Sequence, residues 1–215
     1  MTGWKPLLVT PLLRAMQKVY GKLDYLEFMD SFRYPLAGEF SLRRDFIKSL
    51  RIPSDWGLEI GVLSEVYRNL SKHQICQVDI ADEYDHKHQE VSLKDADSGL
   101  IKMSTEITKS LYRKLATEGI PLSVRDIRAI KASYYRIALD AIEQYYYDAK
   151  INGLEFDRHS EEDTVCQFAM SIMKAGEVYI DHPMEIPFIP NWNRVFSAIP
   201  DFGEQMRAAV EADNK

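Results

Sequence analysis

Apolar residues recur at helical spacing along most of the chain. Leu8, Leu12, Leu13, Met16 and Val19 share one face of Leu7 to Tyr20, which reads as a helix with Pro11 near its first turn. Leu23 to Asp30 reads as a second, short helical turn. Phe32 to Glu39 (FRYPLAGE) contains Pro35 and Gly38 and reads as irregular chain, or a short edge strand, ending in a turn. Leu42 to Leu50 follows as a helix capped by Ser41, and Pro53 stops it. From Gly57 to Leu70, the positions Leu58, Ile60, Val62, Leu63, Val66, Tyr67 and Leu70 build an apolar helical face, with Asp55 as the N-terminal cap.

The period changes at Ile75. The run ICQVDI, Ile75 to Ile80, alternates, is β-branched and reads as a strand. Ala81 to Ser98 is polar and long for a connecting loop, and loops of that length are often functional. Helical spacing then returns over Leu100 to Thr117, Ile127 to Lys150, Ser160 to Lys174 and Asp201 to Glu211. Ser160 and Asp163 stand at capping-box spacing, and Asp201 is a further cap. His182 to Trp192 is proline-rich and reads as extended. The expected fold is α/β and predominantly helical, with a mixed portion at 1–99 and a helical portion at 100–215. A lone strand makes no sheet, so weak strands, or strands outside this chain, must join it.

Composition narrows the classes. The 215 residues allow one large domain or two small ones, and a hydrophobic fraction of 46% supports a core. A net charge of −6 without a long Lys/Arg block argues against nucleic-acid binding. No apolar run reaches the length of a membrane span, and the N-terminus lacks a signal-peptide pattern. Cys76 and Cys166 sit among apolar residues and read as buried free thiols of a reducing compartment, so a cytoplasmic protein is expected. The chain has no Gly-rich phosphate loop, CxxC pair or GxSxG elbow.

The candidate chemistry gathers between Trp56 and Gln89. His86 and His88 face the same way on an extended backbone, with Asp82, Glu83, Asp85 and Glu90 around them. Imidazole beside carboxylate suits Mn²⁺ or Zn²⁺, and Mg²⁺ prefers the oxygens; the same residues also read as a solvated acidic loop. Glu59 falls in the first turn of a helix, where the dipole favours an ionised carboxylate, and Gly57 lets another group approach closely. A capping glutamate beside a core Trp56 is the competing reading. Glu39 invites the same two readings. Arg43 and Arg44 read as surface charge or as phosphate contacts, and Asp95 with Asp97 as solvated charge. Tyr134, Tyr135, Tyr145, Tyr146 and Tyr147 crowd one helix and would fill a core or an interface.

The strings RYPLAGEFSLRRDF (33–46), WGLEIGVLSEVY (56–67) and ICQVDIADEYDHKHQ (75–89) resemble, in order, the C-terminal half of glucosyl-3-phosphoglycerate synthases. These are retaining glycosyltransferases of the GT-A fold. The match covers about residues 7–118, and the helical remainder resembles an extension of the longer bacterial members. The resemblance implies a nucleoside-diphosphate glucose donor, usually UDP-glucose, and 3-phosphoglycerate as acceptor. It implies Mg²⁺ or Mn²⁺ held by a D-x-D motif in the N-terminal half, with His86 completing the metal shell. It places Glu59 near the donor sugar, with Trp56 and Gly57 in the same turn. His88 stands where some members use Asn on the acceptor, and Tyr84 and Gln89 stand where some have Arg. The donor-binding half and its D-x-D motif have no counterpart here, and Asp95 and Asp97 follow the histidine instead of preceding it. The chain is therefore expected to be a C-terminal fragment, catalytically incompetent alone. It is also expected to be at least a dimer through the tyrosine-rich helix, because a fragment lacking half a sheet must cover an apolar face and an open edge. The other class of reading is a non-catalytic helical interaction or assembly module.

Overall fold

The computed structural model describes residues 7–80, 99–183 and 188–214. Among them are nine α-helices: α1 (Val9–Tyr20), α2 (Asp24–Asp30), α3 (Arg44–Ser49), α4 (Leu58–Asn69), α5 (Gly99–Thr117), α6 (Val124–Ile151), α7 (Arg158–Asp181), α8 (Trp192–Ala198) and α9 (Phe202–Asp213). A 3₁₀ turn at Lys72–Gln74 follows α4.

Six helices close a ring of neighbours. α4 packs on α5, α5 on α7, α7 on α6, α6 on α1, α1 on α2, and α2 returns to α4. The periodic stripes explain the closure. Leu12, Leu13 and Met16 of α1, Leu111 and Leu115 of α5, Ile130 and Ile142 of α6, and Ile172 of α7 are fully buried and share one core. Each such side chain is worth about 1.5–3 kcal/mol of transfer free energy. Buried hydroxyls find partners across the joints: Tyr25 Oη pairs with Ser64 Oγ at 3.0 Å, Tyr134 Oη donates to Leu7 O at 2.9 Å, and Ser104 Oγ donates to Ser171 Oγ at 2.8 Å. No helix among the described residues is long and apolar enough to cross a membrane.

The other three helices form an outer layer, α3 against α8 and α8 against α9, with no buried residue in any of them. Ile189 N–H donates to Ile52 O at 3.1 Å, Asn191 Nδ2 donates to Ser49 O at 3.2 Å, and the Trp192, Phe196 and Phe202 rings cluster.

Several expectations are corrected. The predominantly helical architecture stands, but no strand occurs among the described residues, so the α/β part of the reading fails there. Ile75 is extended at φ −118°, ψ 133°, yet Ile75 to Ile80 has no ladder partner among the described residues. The alternation survives in a different form. Gln77 Oε1 accepts from Arg33 N–H at 2.7 Å and Asp79 Oδ2 from Arg33 Nη1 at 2.8 Å, while Val78 and Ile80 are 70% and 66% exposed. Periodicity two thus reports backbone shape, and a strand also needs a neighbour. Both cysteines are exposed, because an apolar neighbour in sequence does not bury a thiol. α7 begins at Arg158 with Asp157 as its cap, accepting from Ser160 N–H at 3.1 Å; Ser160 is not the cap. α3 begins at Arg44 without a side-chain cap from Ser41, and α8 follows the proline-rich stretch, where no helix was expected.

Candidate functional site

The turn Asp55–Trp56–Gly57 delivers the chain into α4, and α5 holds it. The Asp55 side chain is only 5% exposed; its Oδ1 accepts from Gly57 N–H at 3.0 Å. Its Oδ2 lies 3.9 Å from Arg113 Nη1, an ion pair rather than a hydrogen bond. Arg113 Nε and Nη2 are buried without an acceptor. Buried donors left unpaired are uncommon and costly, so this pair is held by its surroundings rather than by ideal geometry. Trp56 N–H donates to Glu106 Oε2 at 3.0 Å. Gly57 sits against Ser110, and a Cβ built there would fall 2.7 Å from Ser110 Cβ. Glycine is needed at this point for close approach, as the sequence implied.

Glu106, Ser110 and Arg113 lie at i, i+4 and i+7 on one face of α5, so a single helical stripe clamps the turn. Sequence reading missed all three. Their signal is weak, because α5 also buries Ser104, Thr105, Thr108 and Lys109, so a polar stripe does not stand out in it. They lie more than forty residues from the turn, and only the α4–α5 contact brings them together.

Glu59 stands in the first turn of α4, partly buried, and burial raises its carboxyl pKa against a smaller lowering from its own backbone N–H. The Tyr34 hydroxyl is raised first by burial and then by the negative charges of Glu59 and Glu39. The charge of Glu59, on the 56–67 string, is thus felt at Tyr34, on the 33–46 string. A partly buried carboxylate with a raised pKa can exchange a proton or stabilise positive charge close by. Trp56 is 45% exposed at the rim, so the core-tryptophan reading fails. Arg43 and Arg44 flank the start of α3.

His86, His88, Asp95 and Asp97 lie outside the described residues. Among the described residues no group of three or more His, Cys, Asp or Glu side chains is arranged to hold a metal ion. The described residues alone do not fit a Mg²⁺ or Mn²⁺ centre.

No family model matches the chain, and no solved structure matches it. It is 41% identical over 205 residues to the glucosyl-3-phosphoglycerate synthase of Persephonella marina, covering 95% of this chain and 51% of that protein. It is 41% identical over 211 residues to the glucosyl-3-phosphoglycerate synthase of Methanococcoides burtonii, covering 97% of this chain and 51% of that protein. The chain thus spans about half the length of the curated relatives it matches. Identity sustained over nearly all of the chain, together with the three strings, makes it a relative of the glucosyl-3-phosphoglycerate synthases, aligned with about half of each.

Proposed function

We propose that this chain is the acceptor and metal side of a retaining GT-A glycosyltransferase that moves glucose from a nucleoside-diphosphate glucose, UDP-glucose in the first instance, to the hydroxyl of 3-phosphoglycerate. The observation that carries this reading is the 41% identity to two proteins named glucosyl-3-phosphoglycerate synthase across 95–97% of the chain. The partly buried Glu59 at the start of α4, its carboxyl pKa raised by burial and its charge felt at Tyr34, supports it. In this reading Glu59 orients the acceptor or stabilises positive charge on the sugar. Trp56 and Gly57 shape the rim where donor or acceptor binds, and the α5 stripe keeps that turn in place. His88 is assigned to donor or acceptor binding. His86 would hold Mg²⁺ or Mn²⁺, which when bound would supply positive charge to the departing diphosphate. The proposal extends to a cytoplasmic homo-oligomer.

The test is a transfer assay with UDP-glucose, 3-phosphoglycerate and Mn²⁺, run on these 215 residues and on the longest open reading frame that contains them. Transfer from the longer protein only, lost on His86→Ala, is the expected result, because the transition state needs nucleotide, metal and acceptor held together. Robust transfer by the 215 residues alone would overturn the division of labour. An inactive longer protein would favour a helical assembly module.

A further inference from the structure

The C-terminal end of α4 carries a feature that the proposed reaction does not use. An open cavity of about 430 Å³ lies there, within the size range of small-molecule sites. Phe28, Tyr67, Leu70 and Ile75 give it an apolar and aromatic wall, and Arg68 and Lys72 stand at its edge. Leu70 lies eleven positions beyond Glu59, roughly 16 Å along the axis, so the two sites are distinct.

The wall is built and held. The Tyr67 ring packs against Phe28 at 5.2 Å and edge-on against Tyr25 at 5.4 Å, and Tyr25 is anchored through Ser64. Lys114 Nζ lies over the Tyr25 and Tyr67 rings at 5.4 and 5.9 Å. Lys114 is also ion-paired with Glu118, the acid lining the cavity, and so offsets its charge. Arg68 and Lys72 have no acidic partner among the described residues. Among the described residues, the cavity therefore combines a fixed aromatic wall with two cations that have no acidic partner there, in a chain whose net charge is −6.

We infer that this cavity binds a nucleoside monophosphate, with the base against Tyr67 and Phe28 and the phosphate on Arg68 and Lys72. Each half of such a ligand meets one half of the site. Aromatic faces take a planar base, and a guanidinium with an ammonium takes a doubly charged phosphate. A bare phosphate would leave the wall unused, and a nucleoside would leave the cations unused.

The test is calorimetric titration of the 215-residue chain with AMP, compared with adenosine and inorganic phosphate. AMP is expected to bind at least about tenfold more tightly than either part. The double variant Arg68→Ala/Lys72→Ala, at exposed positions that should not disturb folding, is expected to weaken AMP by about tenfold or more. Tyr67→Leu is expected to weaken it as well, and Glu59→Gln to leave it unchanged. No AMP binding at millimolar concentration would overturn the inference. So would binding that survives Arg68→Ala/Lys72→Ala, or binding that is lost with Glu59→Gln, which would place the nucleotide at the other end of α4. None of these outcomes depends on whether glucosyl transfer is found.

Discussion

The six-helix ring and the outer layer of α3, α8 and α9 use the same apolar residue types to different ends. In the ring, Leu12, Leu111, Ile130 and Ile172 disappear from solvent. In the outer layer, Ile47, Trp192, Phe196, Met206 and Val210 all remain exposed. A helix of the length of α9 is marginal in water without tertiary packing, and α9 packs chiefly on the seven-residue α8. The difference teaches where stability and chemistry are placed. The ring supplies burial, and the Asp55–Glu59 turn emerges where the chain passes from the outer layer into the ring.

The largest expected effect separates the two regions directly. Leu111→Ala removes a fully buried side chain from α5 and should cost about 2–5 kcal/mol, seen as a lower Tm and urea midpoint. A loss near zero would mean that the ring is not the source of stability.

The ring was legible in the sequence because its helices are long and strongly periodic. Leu8, Leu12, Leu13 and Met16 announced α1 without any tertiary knowledge, and all four are buried. Ile75 to Ile80 misled because alternation fixes an extended backbone but not the neighbour that makes it a strand; here Arg33 takes the polar side. At the candidate site, the helix start that carries Trp56, Gly57 and Glu59 was legible from a local turn, since these residues are neighbours in the sequence itself. Glu106, Ser110 and Arg113 were not, because a helix–helix contact rather than sequence adjacency puts them there.

A middle-sized effect tests a ring joint through its cap. Ser123 and Asp126 form a capping box at the start of α6, with Ser123 Oγ donating to Asp126 Oδ2 at 2.7 Å. Ser123→Ala should cost about 1 kcal/mol at neutral pH. The hydrogen bonds from Ser123 hold the Asp126 pKa below its ordinary 3.8, so their contribution is present above that value and fades as pH falls through the folded-state pKa. Urea titrations at pH 7 and pH 2.5 should therefore give a smaller Ser123→Ala difference at the lower pH. An equal or larger one would mean that the carboxylate takes no part.

The smallest effect belongs to the outer layer. Val210→Ala on α9 should change stability by no more than about 0.5 kcal/mol, since the side chain is exposed. A cost rivalling that of Leu111→Ala in the isolated chain would erase the contrast between the two regions.

The central claim is that Glu59 serves chemistry and not the fold, and Glu59→Gln tests it most directly. Burial raises the Glu59 pKa, so ionising it in the folded state opposes folding. That penalty is absent below the unfolded-state value, near 4.5, grows as pH rises toward the folded pKa, and persists above it. The measurement is glucose transfer and Tm on the same Glu59→Gln sample of the longest reading frame, at pH 7 and at pH 4. The account predicts transfer at pH 7 reduced by about a hundredfold or more, with Tm equal or higher at pH 7 and no Tm advantage at pH 4. Wild-type transfer at pH 7, or lost transfer accompanied by a large fall in Tm, would contradict it.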